Sequence, residues 1–191
     1  MSEAWPRRMR TAVRVLVSSR ARQDAWREWQ RRLGGEPGLP AQDVERVLVV
    51  CEGNLCRSPY AAALLAARLP RLEVRSAGLA ARGGDPAAEA AQRAAQERGL
   101  DLAAHRTRRL VAEDVAWADL VLGMEGHHAV ALERHWPEAE PRIRLLGEFL
   151  AEPPFAIEDP WGREDAIFHA VFARVERAVA RLAARLEGQP G

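Results

Sequence analysis

Lysine is absent from this sequence, cysteine occurs only twice, and no long apolar run is present. All 28 basic residues are arginine, which we attribute to a composition bias of the source and not to nucleic-acid binding. No stretch approaches the roughly 18 apolar residues of a membrane span, and the N-terminal apolar stretch is too short for a signal peptide. Two closely spaced cysteines do not make the framework of a small secreted protein. We therefore expect a cytoplasmic protein with no stable membrane insertion and no nucleic-acid partner.

The chain is long enough for one domain with an appendage. Its first 33 residues hold nine arginines against three carboxylates, and a Gly/Pro cluster follows at residues 34–40. We therefore predict a basic N-terminal arm over residues 1–40 and a second domain over residues 41–191. The arm contains a short apolar run at residues 12–17 and a predicted helix over residues 21–33, with Trp26, Trp29 and Leu33 on one face. Docking on the body, dimer formation, and contact with an acidic partner or a membrane surface are the roles open to it.

Beyond the arm, short apolar strands alternate with helices. The run VLVVC is typical of a strand buried on both faces of a parallel sheet. The alternation predicts an α/β fold, an open three-layer sandwich with a four-stranded parallel sheet of Rossmann-like topology. The predicted strands cover residues 47–51, 72–78, 118–124 and 143–147, and the predicted helices of this part cover 57–69, 86–98, 127–136 and 164–186. Ligands of such sheets bind where the strands end, so the loop after the first strand is the candidate site.

That loop, CEGNLCRS, joins the first strand to the N-terminus of a helix. Its backbone amides and the helix dipole favour a phosphate-like dianion. Gly53 and Asn54 tolerate the left-handed conformations that would turn those amides inward. Arg57 adds a planar guanidinium that can bind two oxygens at once. In these electropositive surroundings Cys51 is expected to supply a nucleophilic thiolate, and Ser58 could donate a hydrogen bond to its sulfur.

Simpler interpretations of the two cysteines remain open at this point. Cys51 at a strand end could be a small buried hydrophobic residue. A zinc site needs four ligands, and neither a second cysteine pair nor a suitable histidine spacing is present. The phosphate-binding motif of nucleotide hydrolases, with its GK[ST] ending, is also missing. We predict no metal and no cofactor.

The string VCEGNLCRSPYA resembles the signature of low-molecular-weight protein tyrosine phosphatases, V-C-x-G-N-x-C-R-S-P-x-A. The resemblance continues through VRSAGL, GLDLAAHRTRRLVAEDVAWADLVLGME and IEDPWG in the family's order, and it covers about residues 46–187. It implies a phosphatase that hydrolyses phosphotyrosine on proteins. Cys51 would attack phosphorus, Arg57 and the loop amides would hold the phosphoryl group, and Asp159 would protonate the leaving oxygen and then activate water.

The resemblance also implies supporting residues. The remaining candidates for phosphate or substrate binding are Glu52, Gly53, Asn54, Leu55, Cys56, Ser58 and Trp161. Of these, Trp161 would form a wall of the substrate cleft, since the segment after VRSAG lacks the aromatic residue of many members. Ser76 and His105 would lock the loop together with Asn54, and Glu125 matches an acidic position of the family. Cys56 would capture an oxidised Cys51 as a disulfide. The resemblance does not explain Glu52, because a carboxylate beside the loop opposes dianion binding.

Three alternatives stay open within this resemblance. Related arginine phosphatases carry threonine where this chain has Leu55, and arsenate reductases of the same fold need further cysteines that do not follow Cys56. A catalytically silent phosphate-binding module is the third. The implied partner is a tyrosine-phosphorylated protein, and bacterial members often oppose tyrosine kinases of polysaccharide export.

Overall fold

The computed structural model describes residues 19–188. The apolar run predicted at residues 12–17 and the last three residues of the predicted second domain lie outside the described residues. None of the helices described below is long and apolar enough to cross a membrane. The strands are β1 (Arg46–Cys51), β2 (Glu73–Gly78), β3 (Leu120–Gly123) and β4 (Ile143–Leu145), and the helices are α1 (Ser19–Gly34), α2 (Arg57–Arg68), α3 (Glu89–Gln96), α4 (Ala112–Trp117), α5 (Gly126–His135) and α6 (Asp165–Glu187), with 3-10 turns at Pro137–Arg142 and Leu146–Phe149.

The four strands form one parallel sheet in the order β2-β1-β3-β4. This confirms the predicted fold class. β1 is central, with Cys51 opposite Gly78 of β2 and Val49 opposite Leu122 of β3. Because the strands are parallel, the loops that follow β1, β2 and β3 open at the same edge of the sheet.

Helix α4 was not predicted, because six residues are too few to show a helical period.

Two apolar clusters cover the two faces of the sheet. Side chains of β1 point alternately to each face, as a strand requires. Val47, Val49 and Cys51 pack with residues of α2, α3 and α6, whereas Leu48 and Val50 pack with residues of α4 and α5. The result is the three-layer arrangement, and it places Cys51 on the side of α2 and α6.

Helix α1 docks on the body through its polar face. Four residues at helical spacing make the contacts: Arg20 pairs with Glu52, Asp24 accepts from the amide of Gly126, Arg27 pairs with Glu133, and Arg31 donates to the carbonyl of Glu148 at 2.7 Å.

The predicted apolar face of α1 stays outside this contact. Trp26, Trp29 and Leu33 are 55%, 52% and 69% exposed. The predicted helix is therefore confirmed. The arginine side is held instead, because carboxylates and carbonyls of the body face it.

Candidate active site

The loop between β1 and α2 is shaped to bind an anion. β1 ends at Cys51 and α2 begins at Arg57. Among residues 19–188, no acceptor receives a hydrogen bond from the backbone N–H groups of residues 53–57. Unpaired amides at a helix N-terminus, together with the helix dipole, favour a bound dianion. The structure thus places a group of unsatisfied donors directly beside Cys51.

Asn54 holds this loop in its conformation. It is the one non-glycine residue of the described chain with a positive φ, 55°, and it is fully buried. Its side-chain amide donates to the hydroxyls of Ser58 and Ser76, both at 2.9 Å, and its side-chain oxygen accepts from the backbone N–H of Arg108 at 3.0 Å. His105 donates through Nε2 to the backbone carbonyl of Asn54 at 2.8 Å. Burial lowers the pKa of His105, although this hydrogen bond opposes the effect.

These contacts bring together the residues expected to lock the loop. The expectation for Gly53 is wrong in one respect, because its φ is not positive and the left-handed turn is made at Asn54 alone. A Cβ on Gly53 would lie 3.3 Å from Leu55 Cδ1, so a small residue is still favoured there.

The end of β2 braces the loop from its other side. The backbone N–H groups of Leu79 and Ala80 donate to the carbonyls of Cys51 and Glu52 at 3.0 and 2.9 Å. Gly78 permits this approach, since a Cβ there would lie 2.8 Å from the carbonyl oxygen of Glu52. The loop is therefore fixed by backbone contacts as well as by Asn54.

Ser58 is positioned to donate to the sulfur of Cys51. The two side-chain atoms are 3.0 Å apart, and Ser58 Oγ already accepts from the amide of Asn54. The hydroxyl proton of Ser58 is then free to point at Sγ, and a thiolate can only accept. Ser58 thus offers a hydrogen-bond donor to Sγ of Cys51.

Arg57 lies at the bottom of the site with only 1% of its surface exposed. Its guanidinium bonds Glu125 at 2.5 Å, the carbonyl of Ile157 at 2.9 Å and Asp159 at 2.7 Å. Nε of Arg57 is buried and has no hydrogen-bond partner within the described chain. Burial alone would lower the pKa of Arg57, but the negative charges of Cys51, Glu125 and Asp159 outweigh it and raise that pKa. The guanidinium thus remains charged.

Cys56, the second thiol of the loop, is held in its neutral form. Burial raises the pKa of Cys56, and the nearby Cys51 and Asp159 add to the effect. Both cysteines are free and buried. At neutral pH Cys56 is therefore a thiol and not the nucleophile, and its redox pairing with Cys51 stays a prediction.

The carboxylate of Glu52 is turned toward helices α1 and α5. It accepts from Arg20 at 3.2 Å, and Nε2 of His127 lies 3.3 Å away. Nε2 of His128 lies 3.7 Å from the same carboxylate. Its charge is thus offset by Arg20, which explains how a carboxylate is tolerated beside an anion site. We find no direct role for Glu52 in phosphate binding.

Two groups of side chains have the residue types of a metal site: Glu52, His127 and His128 form the first, and Asp24, Glu125 and His127 form the second. The hydrogen bonds of these residues do not suit a metal ion. Nδ1 of His128 accepts from the amides of Met124 and Glu125 at 3.3 and 3.0 Å, so Nε2 carries the proton and cannot bind a cation. In the second group, Glu125 is bonded to Arg57 and Asp24 to the amide of Gly126. These groups serve to position the loops.

His128 should make the protein less stable in acid. Burial lowers the pKa of His128 well below its usual value of 6.5, and the charges of His127, Arg57 and Arg20 act in the same direction. Below about pH 6.5 the unfolded chain binds a proton that the folded chain does not, so the free energy of unfolding falls as pH falls. Each such group contributes up to about 1.4 kcal/mol per pH unit. In urea unfolding between pH 7.5 and 5.5, His128→Asn is expected to show a smaller loss than the wild type.

The control for this prediction is His135→Asn. His135 is exposed at the end of the same helix, where Nδ1 donates to the carbonyl of Ala131 at 2.7 Å. This variant should keep the wild-type dependence on pH. An unchanged dependence in His128→Asn would contradict the assignment.

Asp159 and Trp161 follow β4 in the chain and lie next to each other. The backbone N–H of Trp161 donates to the carboxylate of Asp159 at 3.2 Å, and 41% of the Asp159 side chain is exposed. Trp161 is 59% exposed and does not line the cleft described next. Its role as a wall of the substrate site stays a prediction.

A cleft of about 770 Å³ leads from the surface to Arg57 and Asp159. Residues of α1, including Trp29, form one side of this cleft, and residues between 154 and 163 form the other. Glu52, Glu125 and His127 complete it. A cavity of this size is typical of ligand sites.

Sequence reasoning missed several residues of the site. Arg108 was not singled out, although its backbone N–H bonds Asn54 and its guanidinium bonds Asp114 at 2.6 Å. The carbonyl of Ile157 was missed because backbone groups leave no sequence signal. The sequence gives no role for Glu125, which the structure shows to be a direct partner of Arg57.

Comparison with known proteins places most of the chain in one family. The model of the low molecular weight phosphotyrosine protein phosphatases matches residues 46–190. A protein-arginine-phosphatase of Geobacillus stearothermophilus is 38% identical over 143 residues, which cover 74% of this chain and 96% of that protein. The low molecular weight protein-tyrosine-phosphatase Etp of Escherichia coli K12 is 37% identical over 140 residues, or 73% and 93%. The crystal structure of the tyrosine phosphatase AmsI of Erwinia amylovora superposes with a TM-score of 0.74 at 34% identity, covering 78% and 97%. The family match begins after α1.

Proposed function

The chain belongs to the low molecular weight phosphotyrosine protein phosphatase family, and we propose that it hydrolyses phosphotyrosine on proteins through a phosphorylated Cys51. The observation that supports this most is that Cys51 begins a loop whose amides 53–57 have no acceptor within residues 19–188, with Ser58 at 3.0 Å from its sulfur. A phosphate-binding module would need the amides and Arg57, but neither a thiol nor the carboxyl of Asp159.

In the first step, the thiolate of Cys51 attacks phosphorus and the bond to the tyrosine oxygen breaks. The amides of residues 53–57 and Arg57 hold the three equatorial oxygens, where the negative charge of the transferring group lies. Asp159, in its protonated form, donates to the departing oxygen. Arg57 pairs with Asp159 at 2.7 Å, and a bound dianion takes the place of this carboxylate as partner of Arg57.

In the second step, water attacks the phosphorus of the cysteinyl phosphate. Asp159, now ionised, takes a proton from that water, and the sulfur of Cys51 leaves as a thiolate. Ser58 donates to the sulfur in both steps and so stabilises it as nucleophile and as leaving group. Phosphate is released and the site returns to its starting state.

Phosphoarginine is the second candidate substrate, because a protein-arginine-phosphatase is 38% identical to this chain. Leu55 argues against it. The side chain of Leu55 is half-buried and packs against the apolar cluster that contains Cys51. It offers no hydrogen bond to a guanidinium group, whereas an aryl ring needs only apolar contact.

The wild type should hydrolyse a phosphotyrosine peptide with a kcat/KM at least about a hundredfold above that for the matching phosphoarginine peptide. Leu55→Thr adds a hydroxyl at this position and should shift the ratio toward phosphoarginine. Release of inorganic phosphate from both peptides measures it.

Leu64→Thr is the matched control, since Leu64 is half-buried on α2 and lies outside the loop. This variant should keep the wild-type ratio. Faster hydrolysis of phosphoarginine by the wild type would assign the chain to the other substrate class.

We also propose a partner for this activity. Tyrosine-phosphorylated proteins are the substrate class, and a bacterial tyrosine kinase of polysaccharide export is the specific candidate. The resemblance to bacterial members of the family supports it.

A further inference from the structure

Helix α1 is held in a fixed position beside the site. Its contacts run from Arg20, which pairs with Glu52, to Arg31, which donates to Glu148 and lies over the ring of Phe155. The backbone of α1 also comes close to α5, because a Cβ on Gly126 would lie 2.6 Å from the carbonyl oxygen of Gln23. The side chains of α1 that face the cleft are therefore part of its wall.

Trp29 is the aromatic residue of this wall. Among the residues that line the cleft in the described chain, it alone is a tryptophan, tyrosine or phenylalanine. It stacks with Trp26 at a ring separation of 5.0 Å, which holds the ring in place. Trp29 is 52% exposed and Arg57 is 1% exposed, so Trp29 lies near the mouth and Arg57 at the bottom.

The cleft exceeds the size of a phosphorylated tyrosine side chain. About 770 Å³ leaves room for neighbouring residues of a peptide once the phosphoryl group is at Arg57. Residues next to the phosphotyrosine would then lie on the side of Trp29.

The charges around the cleft select among such peptides. Four arginines line it, and each has a carboxylate partner: Arg20 pairs with Glu52, Arg32 with Glu28, Arg163 with Glu158, and Arg57 with two carboxylates. Six carboxylates line the cleft in all, namely Asp24, Glu28, Glu52, Glu125, Glu158 and Asp159. When a phosphate dianion takes Arg57, the remaining surface has an excess of negative charge. A cation beside the phosphotyrosine is favoured and an acidic residue is disfavoured.

We propose that α1 is a substrate-recognition element in which Trp29 and the surrounding carboxylates bind an arginine next to the phosphotyrosine of a protein substrate. A guanidinium can stack on the indole ring, and the surrounding carboxylates attract its positive charge. This inference rests on the proposed function, because it concerns the same site.

Two phosphotyrosine peptides that differ only in carrying Arg or Glu beside the phosphotyrosine test the proposal. The wild type is expected to prefer the Arg peptide by about tenfold in kcat/KM, since a cation stacked on tryptophan and an acidic surrounding both contribute. Trp29→Ala should reduce this preference about fivefold, mainly through KM, and Trp29→Phe should retain most of it. Leu33→Ala is the control, because Leu33 is exposed on α1 and does not line the cleft.

The outcomes separate the two proposals. Equal rates for the two peptides, a preference for Glu, or the same preference in wild type and Trp29→Ala would overturn the role of α1 and leave the phosphatase assignment intact. A wild type that hydrolyses neither peptide would overturn the proposed function, and the role of α1 with it.

Discussion

Replacement of Cys51 by serine is expected to lower kcat for p-nitrophenyl phosphate by at least about a thousandfold, because an alcohol is a far weaker nucleophile than a thiolate at neutral pH. The hydrogen bond from Ser58 stabilises a charged sulfur, and a neutral hydroxyl at the same place gains little from it. The KM should change less than kcat, since the loop amides and Arg57 still bind the phosphate. Steady-state rates at pH 7 measure both.

Cys56→Ser is the matched control in the same loop. The pKa of Cys56 is raised by burial, so this residue is a neutral thiol in the active enzyme and takes no part in the attack. Cys56→Ser should lower kcat by only a small factor, because its one effect is to place a hydroxyl group in a buried position. If Cys51→Ser and the wild type were equally inert, the chain would be a phosphate-binding module and not an enzyme.

Replacement of Asp159 by alanine is expected to have an effect that depends on the leaving group. Phenolate needs a proton as it departs, and loss of a general acid costs about a hundredfold to a thousandfold in such cases. Nitrophenolate leaves readily without one, so the loss with p-nitrophenyl phosphate should be much smaller. Rates with phenyl phosphate and p-nitrophenyl phosphate, measured on the same preparations, give the two factors.

Glu158→Gln controls for the removal of a neighbouring negative charge. The side chain of Glu158 is 62% exposed and pairs with Arg163. It lines the cleft, but neither aryl phosphate carries the arginine that it is proposed to bind. This variant should behave alike with both substrates and stay close to the wild type. Equal losses with the two substrates in Asp159→Ala would exclude Asp159 as the proton donor.

The parts of the site that follow one another in the chain could be predicted from the sequence. The strand, the loop and the helix over residues 46–68 are local, and the order of residue types in CEGNLCRS indicates both the nucleophile and the anion site. Asp159 could be placed through its motif, although it lies far along the chain. These predictions needed no knowledge of packing.

The rest of the site depends on contacts between distant residues. Arg108 reaches Asn54 across 54 positions and Glu125 reaches Arg57 across 68, and neither has a local signal. The helical period of α1 was evident, but its docked face was not, because amphipathic patterns favour burial of Trp26 and Trp29. The partners that hold its arginines, such as Glu52 and Glu133, are known only from the fold.

The buried side chain of Asn54 has a consequence for the speed of the enzyme. Four hydrogen bonds through the side chain and backbone carbonyl of this residue keep the loop curled before any phosphate arrives. The free energy needed to shape the anion site is therefore spent once, during folding, and not at each turnover. Preorganised dipoles of this kind need no rearrangement as charge develops on the phosphoryl group. The loop meets each substrate already in its curled conformation.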